Sequence, residues 1–151
     1  MGSARSITLL PLLPLLALAA IACSDVPTDE TPRGTVRLFL AAMERSEHDE
    51  EALREAYALL SAPTRGDLQE RAHLATSFGA DQLEPWEMLV RGGFRQTFTP
   101  AKGAAGMREQ IDGDEATVVV TNEAGDRRAE VPLVRESGRW RLVLALPPAR
   151  E

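Results

Sequence analysis

Apolar positions keep three different rhythms along this chain. From Ile7 to Ala22 they form one nearly unbroken run, interrupted only by Thr8, Pro11 and Pro14. From Thr31 onward they recur at helical spacing. Thr31-Pro32 is a helix start, a capping hydroxyl followed by proline at the first helical position. Val36, Phe39, Leu40 and Met43 then form one stripe of a helix expected to fade near Ser46. A second helix is expected to begin in the acidic run 47–51, where negative charge suits a helix N-terminus, with Leu53, Ala56, Tyr57 and Leu60 inward. Ser61-Ala62-Pro63 breaks it. A third helix is expected from about Thr64 to Ser77, burying Leu68, Ala72, Ala75 and Phe78 and closed by Gly79. A short fourth, Pro85 to Val90, is expected to bury Trp86, Leu89 and Val90 before Gly92-Gly93.

From Phe94 the period is two. Phe94, Gln96 and Phe98 spell a weak strand, and a loop rich in Gly and Ala follows. Met107 to Ile111 and Thr117 to Thr121 flank Asp112-Gly113, a strong hairpin signal. Arg128 to Val134 puts Ala129, Val131 and Leu133 on one face, and Arg139 to Leu146 does the same with Trp140, Leu142, Leu144 and Leu146. Pro132 places its strand at an edge or a bulge. Helices first and an antiparallel meander afterwards make an α+β fold, with helices on one face of the sheet.

The first apolar run is preceded by a short segment carrying Arg5, and it is too short for a comfortable bilayer crossing, which takes about 20 apolar residues. It reads as a secretory signal peptide. Its end, Ala20-Ile21-Ala22-Cys23, resembles the bacterial lipobox, in which a cysteine after small residues is lipidated and becomes the new N-terminus. An ordinary signal cut at an Ala-x-Ala site remains the competing reading, since Ala20-Ile21-Ala22 satisfies that as well. The resemblance implies an envelope lipoprotein, with Ser24 after the cysteine pointing to the outer membrane, facing the periplasm. Ser24 to Glu30 is polar, acidic and contains a proline, and is expected to be a flexible tether. The division is then 1–22 signal peptide, 23–30 lipidated cysteine and tether, 31–146 domain, 147–151 tail.

Composition narrows the chemistry. With 17 Lys+Arg against 23 Asp+Glu, the formal net charge of the 151 residues is −6. No dense basic patch offsets it, so nucleic acid is not expected as a partner. A single cysteine and two separated histidines leave no disulfide and no Cys- or His-based metal site to expect. No cofactor motif is present either.

The segments Thr31-Pro32 through Leu40, Ala56-Tyr57-Ala58-Leu59-Leu60-Ser61 and Val131 through Leu142 resemble lipoprotein domains of the NTF2-like group, the SnoaL and ketosteroid-isomerase type with a cystatin-like layout. The likeness spans about 31–146. It implies a cone of curved sheet on helices that often holds a pocket. Enzymes of that group place an Asp or His in the cone, often with a Tyr donor.

No such set assembles from these residues. Tyr57, the only tyrosine, lies on an apolar stripe and reads first as a core residue with its hydroxyl at the rim. Asp112 and Asp114 suit a tight turn, and Asp81 and Glu84 suit helix entry. His48 sits among solvated acids whose adjacent positions share no helix face, and His73 lies off its helix's stripe. Trp86 and Trp140 read as core anchors; with Tyr57 they are the weak candidates for ligand contact. Arg127, Arg128, Arg135, Arg139 and Arg141 suit either cross-strand pairs with Glu130 and Glu136 or an anionic-ligand surface. The expectation is an envelope-anchored, non-catalytic domain that binds a partner protein or a small apolar ligand. The alternatives are an isomerase- or hydrolase-type enzyme with an acid or base hidden in the cone, and a purely structural module with a filled cone.

Overall fold

A computed structural model describes residues 26–79, 82–91, 97–103 and 105–146. The signal run, Cys23, Asp81, the strand positions Phe94 and Gln96, and the tail lie outside the described residues. Helix α1 spans Pro32–Arg45, α2 Glu50–Ala58 and α3 Ala62–Ser77. A 3-10 turn, Pro85–Glu87, runs into the short α4, Met88–Arg91. Strands β1 (Met107–Asp112), β2 (Glu115–Thr121), β3 (Arg128–Glu136) and β4 (Arg139–Leu142) form one antiparallel sheet in chain order. The fold is α+β.

Each helix begins where its capping chemistry lies. Thr31 accepts from the Gly34 amide, Asp49 from that of Glu51, and Ser61 from that of Thr64. Helix α3 therefore starts at Ala62, two residues earlier than the expected Thr64, because Pro63 is tolerated in a first helical turn whose N–H groups have no partner. Turn chemistry sets the strands in the same way. Gly113 (φ 61°) and the pair Ser137 and Gly138 (φ 51° and 81°) take the left-handed conformations that two-residue hairpin loops demand.

Helix α1 lies across β1, β2 and β4, and α2 packs behind it. Val36, Phe39, Leu53, Leu60, Leu68, Leu89, Val118, Leu133, Trp140 and Leu142 make one continuous buried core. The helical stripes hold at Val36, Phe39, Leu53, Ala56, Leu68 and Ala72, and fail at two helix ends. Phe78 is 88% exposed, because α3 ends at Ser77 and Phe78 caps it beyond the last packed turn. Val90 is 51% exposed, because α4 is one turn long and turns Leu89, with Met88 beside it, toward the core.

Pro132 sits in an inner strand, not an edge strand, which corrects the expectation. Its carbonyl accepts from the Val143 amide at 2.9 Å, so its missing N–H points toward β4 just where β4 has ended. Strand β4 itself stops at Leu142, short of the expected Leu146. The chain is drawn away there by the α2–α3 corner. Leu142 N–H donates to the Leu59 carbonyl (2.9 Å), Ser61 N–H donates to the Leu142 carbonyl (2.8 Å), and Leu144 N–H donates to Thr64 Oγ1 (3.2 Å).

Candidate functional site

Because β4 leaves early, the first half of β3 has a paired neighbour only in β2, and a cleft opens beside it. It is about 260 Å³ in volume. Val36, Phe39 and Leu40 of α1 form one wall, Val120, Ala129 and Val131 of the sheet another, and Phe98, Val143 and Leu144 the rim. Glu130 also borders it, but alternation along β3 sends that side chain to the opposite face from Ala129 and Val131. The inner wall among the described residues is thus apolar, with no acid or base on it. Next to the cleft runs a wider groove of about 700 Å³ between α1 and the 97–103 loop. Leu40, Thr97, Phe98 and Pro100 border both spaces. Arg37, Glu44, Glu47 and Lys102 bring charge to the groove alone.

None of the three weak candidates lines either space. Trp140 is 3% exposed and belongs to the core under the Arg135 guanidinium, 5.8 Å from its ring centre. Tyr57 and Trp86 form a separate cluster, rings edge to face at 6.5 Å, with Arg54 stacked 4.7 Å over the indole. Trp86 is only partly buried, less than a core anchor would be, and its buried indole N–H meets no acceptor among the described residues. The Tyr57 hydroxyl donates to the Arg65 carbonyl at 3.3 Å. Its partial burial raises the phenol above its ordinary pKa, against the charge of Arg65. It is no poised general base.

The remaining titratable candidates lie on the surface. His48, His73, Asp112 and Asp114 are all exposed, and Glu84 closes a capping box with Glu87. No three metal-ligating side chains converge among the described residues.

The arginines find a partner that the sequence reading did not assign. Asp29, placed by that reading in the flexible tether, is bound to the fold. Its carbonyl accepts from Trp140 N–H at 2.9 Å on the outer edge of β4, and its carboxylate bridges Arg139 and Arg141, the latter at 2.9 Å. With Leu59, this strap covers an edge that would otherwise present bare N–H groups. Glu136 accepts from the Ala62 amide at α3's first turn, and Arg127 donates to the Thr97 carbonyl. Arg139 and Arg141 are thus spent together on the Asp29 carboxylate, and Arg127 on a backbone carbonyl.

Partial burial alone would raise the Asp29 carboxyl; the hydrogen bonds and charges of Arg141 and Arg139 outweigh it and hold it below the ordinary carboxylate value. A depressed folded-state pKa adds stability above the unfolded pKa, and that stability is lost as pH falls through the folded value. Asp29→Asn is expected to cost about 1–2 kcal/mol at neutral pH, and to flatten the acid limb of the stability profile. Urea melts of both proteins between pH 2 and pH 7 check this; parallel profiles would show that the bridge adds nothing.

Sequence reasoning missed the cleft. Its nearest signal was the shared face of Ala129, Val131 and Leu133, where alanine stands in the place of a core-filling side chain. Comparison with protein-family models, curated proteins and solved structures gave no match.

Proposed function

We propose that this protein is an envelope lipoprotein, anchored through Cys23, whose domain binds a small apolar ligand in the cleft between α1 and β3. The observation that carries the binding reading is the cleft itself, a concave apolar space close to the small end of the usual ligand-site range of about 300–1,000 Å³. Its apolar inner wall favours holding a ligand over acid–base chemistry, which needs a titratable group within reach of the reacting atom. Helices packed on one face of an antiparallel meander are what the resemblance to NTF2-like domains calls for. In that reading the cleft is the mouth of the cone.

The anchor rests on the sequence alone, on the small residues before the single cysteine at the end of an apolar run. Docking of Asp29 leaves only residues 24–28 between Cys23 and the fold. That is about 18 Å of fully extended chain, so the domain rides close to the outer membrane's periplasmic surface. Cys23→Ser is expected to abolish acyl labelling and partitioning into the detergent phase. Unchanged partitioning would leave a plain secreted protein.

Ligand binding is tested with N-phenyl-1-naphthylamine, whose fluorescence rises in an apolar site. Ala129→Phe fills the cleft from an exposed position of β3 that tolerates aromatic side chains. The variant is expected to keep the parent circular dichroism spectrum and to weaken dye binding about tenfold or more. Equal binding by both proteins would place the dye elsewhere and refute the assignment.

A further inference from the structure

Strand β4 leaves β3 after Leu142, so the edge of β3 from Arg128 to Val131 has no strand beside it among the described residues. Backbone groups alternate between the two sides of a strand. Pro132 turns its carbonyl toward β4, where the Val143 N–H meets it at 2.9 Å, and Arg135 turns its N–H the other way, to the Asp114 carbonyl at 2.7 Å. Arg128 and Glu130 are in phase with Pro132. They therefore aim their N–H and C=O groups at the vacated edge, and such a row is a template for another strand.

The side chains say which strand fits. Arg128 and Glu130 are exposed on the face away from the core, and no hydrogen bond or ion pair engages either side chain among the described residues. Opposite them in β2 stand Thr121 and Val119, so neither charge is answered within its own sheet. Like charges along an edge repel a second copy. A positive and a negative charge two residues apart do the reverse, because antiparallel self-pairing sets each opposite the other.

We propose that this edge is a self-association surface, at which β3 of two copies pairs antiparallel about a two-fold axis at Ala129. Two Arg128–Glu130 pairs flank the axis at hydrogen-bonded positions, with Cα atoms about 5.5 Å apart. The two Ala129 residues face one another at the closer, non-hydrogen-bonded position, about 4.5 Å apart, where a small side chain is no obstacle. Pro132 and the start of β4 end the paired segment. A symmetric contact of this kind closes at two copies. Pairing does not depend on the cleft's being a ligand site.

The test is disulfide trapping of the full chain in a nonionic detergent. Cysteines at the two-fold lie within the Cα separation of about 4.4–6.8 Å that a disulfide spans. Under copper–phenanthroline, Ala129→Cys is expected to run largely as a covalent dimer on a non-reducing gel. The parent, with Cys23 as its single cysteine, and Leu74→Cys, exposed on α3, set the background. In the Ala129→Cys protein, adding Arg128→Glu or Glu130→Arg places like charges opposite one another and is expected to cut trapping about tenfold, with the circular dichroism spectrum unchanged. Mixing those two charge variants is expected to restore it, since each then meets the opposite charge on the other. Trapping of Ala129→Cys no greater than that of Leu74→Cys would overturn the association. Undiminished trapping in the charge variants, or a mixture that stays monomeric, would overturn the register.

Discussion

Leu142→Ala should cost about 3–4 kcal/mol, in the upper part of the range for a buried leucine. Leu142 is fully buried, opposite Leu133 in the sheet, and its backbone joins β4 to the α2–α3 corner through hydrogen bonds to Leu59 and Ser61. Truncation removes side-chain contacts from the place where both layers meet. The surrounding backbone, held on both sides, has little freedom to close the void. With folding free energies of domains at about 5–15 kcal/mol, that is a large share of the total. Thermal unfolding should fall by roughly 10–15 °C. A shift within about 3 °C of the parent would show that this junction is not a centre of stability.

The second large effect comes from a glycine. A Cβ at Gly34 would lie 2.1 Å from the Thr28 carbonyl oxygen and 2.7 Å from the capping Thr31 hydroxyl. Both distances are well inside van der Waals contact, and the first involves backbone. Gly34→Ala must therefore push the strap off the first turn of α1. The strap's contacts with Trp140, Arg139 and Arg141 would be loosened with it. The expected cost is about 2–3 kcal/mol.

Gly66 is the matched control. It lies within α3, where an added Cβ would meet nothing within 4 Å, so Gly66→Ala should stabilise by about 0.5–1 kcal/mol. The same substitution thus has opposite signs at two helical positions. Chemical denaturation of both variants decides it, and destabilisation of similar size at both sites would contradict the close approach of the strap to α1.

The contrast shows what was legible in the sequence. Caps, stripes and turns are local, and Thr31-Pro32, the Val36/Phe39 stripe and the turns at Gly113 and Gly138 all stand where local chemistry puts them. Gly34 carries no such signal. Its constraint comes from Thr28, which packs on it after the chain has turned, and spacing along one helix does not encode that approach. Phe78 and Val90 kept the period of their stripes, yet nothing packs over those helix ends among the described residues. Asp29 looked like part of a solvated spacer because its partners, Arg139 and Arg141, lie more than a hundred residues away.

The candidate site was hidden for the same reason. A cleft is a place where side chains fail to meet, and it arises here because Pro132 cannot donate and β4 departs at Leu142. In the sequence Pro132 suggests only an edge or a bulge, and the alternation through Leu144 and Leu146 carries the last strand past Leu142. Tyr57, Trp86 and Trp140 are the aromatic candidates the sequence offers, whereas the walls are built from Val36, Leu40, Ala129 and Val131.

Methyl-resolved NMR tests the central claim most directly. With the Val and Leu methyls labelled, the intact protein is titrated with n-octanol. The account predicts saturable shifts at Val36, Leu40, Val120, Val131 and Leu144, which line one cleft, and little change at Leu74 on the far part of α3. Shifts centred on Leu74, or none that saturate, would contradict it.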